Sequence, residues 1–283
     1  MTRPRSMTSS RTRLARQRSR LPVGGRARGV ALVTGAARGI GRAAVRRLSA
    51  EGFNVVAVDR GADDPRLPYS MGTMAELQSL GNERVVAIPA DTCDAEALAG
   101  AVEIAERRWG GLDVMVAAAG VIAGGVPAWE LDAEQERAVL EVNLYGVLTA
   151  ARVGIPALLR RPEPRHGRFI AVASTAATRG LPMLAAYCAS KAGVTGLIRA
   201  LAVELGGTGV TANAVSPGST RTSILDETAR LYELASAEAF AAQQPHGRLL
   251  DPEEIAGLIA WLAGPESAGA TGGDYPFDGG LAL

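Results

Sequence analysis

Six short apolar runs, separated by helical stretches, constrain what this chain can fold into more than any other feature. They are "VALVT" (30–34), "NVVAVD" (54–59), "RVVAIPAD" (84–91), "LDVMVAAAG" (112–120), "RFIAVAS" (168–174) and "GVTANAVS" (209–216). A strand with one face in water alternates apolar and polar residues, whereas these runs are apolar almost throughout, so both faces must be covered. Between them lie "GRAAVRRLSAEG", the amphipathic "DAEALAGAVEIAERRWGG" with an Asp cap, a long helical region from about 133 to 161, and a helix around 186–206. Strands alternating with helices predict a parallel sheet with helices on both sides.

Right-handed crossovers make such a chain α/β, a doubly wound parallel sheet of Rossmann type. No internal repeat or Pro/Ser-rich linker divides it, so 29–283 is expected to be a single domain. Its 283 residues, 47% hydrophobic and 21% charged, suit one soluble globular body. No apolar run approaches the roughly 20 residues of a membrane span, and the expectation is a protein with no membrane partner. Two cysteines, Cys93 and Cys188, are too few for a disulfide framework and fit a reducing cytoplasm. Neither has a His nearby in sequence, so both read as packing or loop residues. Residues 1–28 hold nine arginines and no acid, leaving 21 basic against 29 acidic residues in the remainder. This segment reads as a disordered, Arg-rich leader: a dispensable tail ahead of a later start, a transit peptide or a weak nucleic-acid tether.

Ligands of doubly wound sheets bind outside the carboxyl ends of the strands. The first strand runs into "TGAARGIG", with Gly35, Gly39, Ile40 and Gly41 at a strand-to-helix turn. Glycines there let the backbone approach a pyrophosphate, and free N–H groups at the helix start bind its charge. The spacing Gly-x-x-x-Gly-x-Gly differs from the common dinucleotide fingerprint. Asp59 ends the second strand, 24 residues after Gly35, where an acid accepts hydrogen bonds from an adenosine ribose and repels a 2′-phosphate. Arg38 and Arg60 pull towards a 2′-phosphate. The acid occupies the ribose position, so NAD is expected over NADP.

The chain contains 29 arginines and a single lysine, Lys191, four residues after Tyr187 in "AAYCASKAG". Such arginine use is the mark of a GC-rich genome, and a surviving lysine points to a position where arginine fails. Residues four apart share a helix face. A phenol of pKa near ~10 becomes a working acid/base when an ammonium stabilises the phenolate. Lysine is a compact donor of three hydrogen bonds, whereas arginine is a wide fork that stays charged. Ser174 ends the fifth strand and is placed to hydrogen-bond a reacting carbonyl oxygen. Asn143, in "LEVNLYG", is a poor helix former and predicts a kink with a freed carbonyl able to hold a water.

Thr34-Gly35-x-x-x-Gly39-x-Gly41, Asn143, Ser174, Tyr187-x-x-x-Lys191 and "SPGSTRT" (216–222), in this order and spacing, resemble the classical short-chain dehydrogenase/reductase family across 29–283. "TGGDYPFDGG" (271–280) is similar to that family's final strand. The resemblance implies a catalytic tetrad of Asn143, Ser174, Tyr187 and Lys191. It implies nicotinamide contacts from Pro217, Gly218, Thr220 and Thr222, an adenine contact at Asp91 with its neighbour Thr92, and cofactor contacts at Ala119 and Gly120. It also implies no metal, and a homotetramer or homodimer paired through the long helices flanking the fifth strand. One departure stands out: the family's Asn-Asn-Ala-Gly reads Ala117-Ala118-Ala119-Gly120, which puts the local strand ties in doubt.

From Asp59 to Asp91 is 32 residues, with an excess in "RGADDPRLPYSMGT" (60–73) beside the adenosine site. Together with "AAAGVIAGG" and "LAAYCASKAG", this resembles the subgroup associated with mycofactocin, which implies tightly held NAD and a peptide-derived redox cofactor as electron acceptor. After Thr222, Leu225, Leu231, Tyr232, Leu234 and Phe240 recur at roughly helical spacing. They are read either as a lid over an apolar alcohol or carbonyl substrate or as plain core. His166 and His246 lack metal-ligand spacing; both read as surface residues, with His246 placed to touch substrate at the end of the lid. The reading is an NAD-dependent alcohol dehydrogenase. An NADPH-dependent ketoreductase, or a non-catalytic NAD(H)-binding sensor whose leader contacts nucleic acid, are its alternatives.

Overall fold

The computed structural model describes residues 27–283, so the reading of the leader falls, up to residue 26, outside the described residues. Seven strands form one parallel sheet in the order β3-β2-β1-β4-β5-β6-β7. The strands are β1 (Val30–Thr34), β2 (Asn54–Asp59), β3 (Val85–Pro89), β4 (Val114–Ala117), β5 (Arg168–Val172), β6 (Thr211–Pro217) and β7 (Asp274–Phe277). β1 and β2 coincide with the runs read from sequence. β4 is shorter than its run: Asp113 still bonds the Val30 carbonyl and the Arg168 N–H at the strand's entry, and from Ala118 onward the backbone leaves the strand. The expected final strand is β7.

The apolar uniformity of the strands follows from the layers. On one face Leu32, Val56, Met115 and Phe169 pack under α3 (Ala95–Trp109), α5 (Gly146–Leu159) and α6 (Ala185–Glu204), through Leu98, Val102, Leu158 and Ile198. On the other face Val33, Val55, Val116 and Ile170 meet α1 (Gly39–Ala50) and α8 (Pro252–Ala263), through Val45, Leu48, Ile255 and Ile259. Successive residues of one strand thus face different helix layers, and each fully buried Val or Leu contributes about 1.5–3 kcal/mol. α3 starts where Asp94 accepts from the N–H groups of Glu96 and Ala97, and it stops at Gly110 in the left-handed region.

α2 (Met74–Gln78) is a short helix in the β2–β3 connection, and α7 (Ser223–Leu231) lies after β6. The long helical region divides into α4 (Ala133–Leu140), a π-helical turn over Glu141–Tyr145, and α5. Taken as one helix, Ala133–Leu159 is apolar and long enough to cross a membrane, which the reading of separate apolar runs did not anticipate. Half of its most apolar window is buried inside the fold, where Val147, Ala150, Ala157 and Leu158 pack on the sheet. It is a core helix. In the order of strands, the crossovers reverse direction between β1 and β4, and a crevice opens there above the carboxyl ends.

Candidate active site

A single cleft of about 250 Å³ runs along those carboxyl ends, from Asp91 after β3 to Thr222 after β6. Every residue expected at the cofactor lines it: Gly35, Arg38, Gly39, Ile40, Gly41, Asp59, Arg60, Asp91, Thr92, Ala119, Gly120, Lys191, Pro217, Gly218, Thr220 and Thr222. Ser174 and Tyr187 line it too, and Asn143 does not.

The phosphate turn is built by close approach. A Cβ on Gly41 would lie 2.0 Å from the Gly35 carbonyl oxygen, and one on Gly35, which has φ +67°, would lie 2.7 Å from the Ala119 backbone. Arg38 precedes α1 without a side-chain cap, whereas α3, α4 and α7 are capped by Asp94, Asp132 and Thr222. The first N–H groups of α1 therefore face the cleft without a capping side chain, as a pyrophosphate requires. This geometry fits a dinucleotide.

Asp59 accepts from Ala37 N–H and Gly61 N–H, both at 3.0 Å, which fixes its carboxylate at the rim. The two arginines that favoured a 2′-phosphate are engaged elsewhere. Arg38 donates to the Ser70 carbonyl at 2.6 Å and to Met71 Sδ at 3.3 Å, and it lies 5.9 Å over the Tyr69 ring. Arg60 pairs with Asp64 at 3.2 Å and lies 3.7 Å from Asp91.

The segment 60–73 folds over the groove as a strap. Leu67 is buried with Val121, Val139 and Ala186, and Tyr69, Met71 and Tyr187 pack around them. Ile122 N–H donates to the Tyr69 hydroxyl at 2.9 Å, and Arg66 joins Asp64 at 2.8 Å and also Glu141 on the π turn. Burial pushes the Tyr69 phenol up to about 12. A Cβ on Gly72 would meet that of Ala37 at 2.6 Å, so the strap returns against the phosphate turn. The sequence showed the excess length but not these anchors, since Pro, Asp and Tyr in a loop carry no periodicity.

At the other end, α6 carries Tyr187 and Lys191 on one face. Lys191 is 4% exposed, donates to the Val172 carbonyl at 2.8 Å, and has Nζ 5.8 Å from the centre of the Tyr187 ring. Burial lowers its ammonium to about 8. Burial raises the Tyr187 phenol above its ordinary value, and the Ser174 hydroxyl partly opposes this. This differs from the expected lowering: the ammonium faces the Val172 carbonyl, and desolvation of the phenolate dominates.

Asn143 is neither solvated nor on the cleft wall; it is fully buried behind it. Its Oδ1 accepts from Val121 N–H at 2.8 Å, and its Nδ2 donates to the Val121 carbonyl at 2.9 Å and to Ser190 Oγ at 3.1 Å. Ser190 in turn donates to the Tyr187 carbonyl at 2.7 Å. Asn143 thus ties the exit of β4 to the helix bearing Tyr187 and Lys191. The expected kink is the π turn, where Gly146 N–H reaches back to the Glu141 carbonyl. The missing asparagines of Ala117-Ala118-Ala119-Gly120 leave no loose strand: Thr34 Oγ1 accepts from Ala118 and Ala119 N–H at 3.1 and 3.3 Å. Ser190 and Gln244 escaped sequence reading, and Thr34 was read as part of the glycine motif without this tie. Gln244 is 1% exposed and holds Ser219 N–H at 2.9 Å, fixing the turn after Pro217.

Of the expected lid, Leu225, Tyr232 and Phe240 line the cleft. They also pack together around buried Leu249, so the cleft and core readings both hold. Leu231 closes on Gly125 and Leu234 is exposed, because α7 ends at Leu231 and a 3-10 turn over Ala237–Gln243 follows. His246 does not reach the cleft: its exposed ring packs beside Gly279, and His166 is exposed at the opposite end of the sheet. Cys93 is exposed, and local desolvation together with the Asp91 carboxylate pushes its thiol up to about 12, which fits a loop residue rather than a nucleophile.

Fold and cleft together fit a dinucleotide-binding α/β protein. A family model described as enoyl-(acyl carrier protein) reductase matches residues 35–282. The short-chain reductase protein NovJ of Streptomyces niveus is 38% identical, over 89% of this chain and 93% of its own. The cis-4-hydroxycyclohexanecarboxylate dehydrogenase of Sinomonas cyclohexanicum is 37% identical over 89% and 95%. The crystal structure of carveol dehydrogenase from Mycobacterium avium in complex with NAD is similar at a TM-score of 0.85 and 31% identity, over 90% and 98%. The chain belongs to the short-chain dehydrogenase/reductase family.

Proposed function

We propose that this protein is an NAD-dependent, cytoplasmic dehydrogenase that interconverts a small apolar secondary alcohol and its ketone. The observation that carries the reading is one continuous cleft that joins an uncapped glycine turn and Asp59 to Ser174, Tyr187 and Lys191. NAD rather than NADP is favoured because Asp59 occupies the rim while Arg38 and Arg60 are held by the strap. The NAD complex of the carveol dehydrogenase points the same way.

Bound NAD would supply the hydride acceptor. Gly35, Gly39, Ile40 and Gly41 hold its phosphates, Asp59 its adenosine ribose, Asp91 and Thr92 the adenine side, and Ala119, Gly120, Pro217, Gly218, Thr220 and Thr222 the nicotinamide side. Ser174 Oγ would donate a hydrogen bond to the substrate oxygen, and Tyr187 would take the substrate's hydroxyl proton as phenolate in oxidation and return it as phenol in reduction. Lys191, whose ammonium titrates at about 8, is suited to passing that proton onward near neutral pH. Asn143 is a positioning residue in this scheme, acting through Val121 and Ser190.

The strap supports a second element of the reading, NAD held so firmly that electrons leave through another acceptor, such as mycofactocin. Leu67, Tyr69 and the Arg66–Glu141 pair would all have to part before a nucleotide beneath them could leave. Assembly as a homotetramer or homodimer through α5 and α6 also belongs to this reading; Tyr145 and Val203 are large apolar groups exposed at the start of one and in the other. The test is Tyr187→Phe. Turnover of alcohols should vanish while NAD content and fold stay unchanged; a variant retaining a tenth or more of the activity would remove Tyr187 from its role.

A further inference from the structure

The two ends of the cleft differ in charge. Arg38, Asp59, Arg60, Asp64 and Asp91 all belong to the half above β1, β2 and β3. Beyond the nicotinamide end the wall is Ile122, Leu184, Ile224, Leu225, Tyr232 and Phe240, with no charged side chain among the described residues except Lys191, which is committed to Val172. The polar groups in this half are mostly turned away. The Tyr232 hydroxyl donates to the Pro182 carbonyl at 2.6 Å, leaving its ring beside that of Phe240, with centroids 6.1 Å apart. The Thr228 hydroxyl donates to the Ile224 carbonyl at 2.7 Å, and Gln243 is exposed at the rim.

The surrounding cations are engaged as well. Arg230 makes two bonds to Glu227, at 2.8 and 2.6 Å. Arg221 is held by Glu238 and Asp251, and Arg179 by the Leu281 carbonyl. A carboxylate entering this half would lose its water and gain no cation, a cost far above that of burying a hydrocarbon. An extra hydroxyl held below the Gln243 amide at the rim would likewise arrive without a partner.

We propose that the lid is a polarity filter: the substrate carries one hydrogen-bonding centre, the reacting oxygen held by Ser174 and Tyr187, and uncharged hydrocarbon everywhere else. This rests on the dehydrogenase reading for the position of the reacting oxygen. It excludes hydroxy acids, sugars and carrier-bound thioesters, and it selects alcohols whose remainder is hydrocarbon.

The test uses three probes on one ring, 4-methylcyclohexanol, cyclohexane-1,4-diol and 4-hydroxycyclohexanecarboxylate, binding to the NAD-loaded full chain, followed by calorimetry. The methyl compound should bind at least about 100-fold more tightly than the carboxylate and about 10-fold more tightly than the diol. In Leu225→Arg, which sets a cation in the lid, the carboxylate's handicap should shrink by about 10-fold. Should that variant fail to fold, the wild-type series decides alone. Equal or tighter binding of the carboxylate or the diol overturns the filter, and so does no binding of the methyl compound. Nicotinamide absorbance in the same samples separates the two readings: binding in the predicted order without hydride transfer would sink the dehydrogenase reading and leave the filter standing.

Discussion

Lys191→Met should make the protein more stable at neutral pH and inactive. The side chain is 4% exposed and burial lowers its ammonium from 10.5 to about 8, so below that value the fold carries a desolvated charge. A shift of this size corresponds to roughly 3 kcal/mol at about pH 7, reduced by the bond to the Val172 carbonyl that methionine cannot make. The sign follows from proton counting. Between about 8 and 10.5 the unfolded chain keeps the proton that the folded chain has released, so wild-type stability rises with pH across that window. The methionine variant has no such rise. Its advantage should therefore be largest near pH 7 and fall by about 2 kcal/mol towards pH 10. The arginines contribute alike to both proteins and cancel in the difference, and the buried Tyr187 phenol, raised above its ordinary value, stays largely protonated across this window. Urea titrations of protein refolded without nucleotide, at several pH values, measure it. A stability difference independent of pH, or a methionine variant less stable near pH 7, would refute the argument that the lysine is kept for chemistry at a cost in stability.

Lys191→Arg should lose nearly all turnover although charge is preserved, because a larger cation that cannot release its proton enters a closed site; steady-state rates check this. Gly41→Ala should abolish nucleotide binding and lower yield, since its Cβ would lie 2.0 Å from the Gly35 carbonyl oxygen; nucleotide content after purification reports it. Asp59→Ala should weaken NAD by about 10-fold or more and narrow its advantage over NADP in competitive titrations, while freeing the N–H groups of Ala37 and Gly61. Arg66→Ala should speed nucleotide loss by about 3- to 10-fold, a modest effect because its bonds to Asp64 and Glu141 are partly open to solvent; dilution and desalting time courses measure it.

The parts of this molecule that were legible in its sequence are those governed by periodicity or by tight sterics. Continuous apolar runs mean strands buried on both faces, and β1 and β2 fall where that pattern puts them. Gly35 and Gly41 announce a turn in which a Cβ has no room. Tyr187 and Lys191 share a helix face by spacing alone, and the solitary lysine drew attention to them. The parts that were not legible depend on contacts between distant segments. Nothing local says that Asn143 reaches Val121 and Ser190, or that Thr34 replaces absent asparagines in tying β4 to β1. The strap shows the same limit from another side. Its length marked an insertion, but Leu67, Tyr69 and Arg66 acquire meaning only when β4 and the π turn are beside them. For the phenol of Tyr187 the local pattern points to a lowering, whereas burial in this fold raises it, because the nearby ammonium faces the Val172 carbonyl.

The central claim is a dehydrogenase with NAD seated under the strap, and its nucleotide content tests that most directly. Purified protein is desalted and denatured, and the released nicotinamide nucleotides are separated and quantified. The expected yield is close to one NAD or NADH per chain and no NADP or NADPH. An empty supernatant would contradict the firmly held cofactor, and NADP or NADPH would contradict the role given to Asp59.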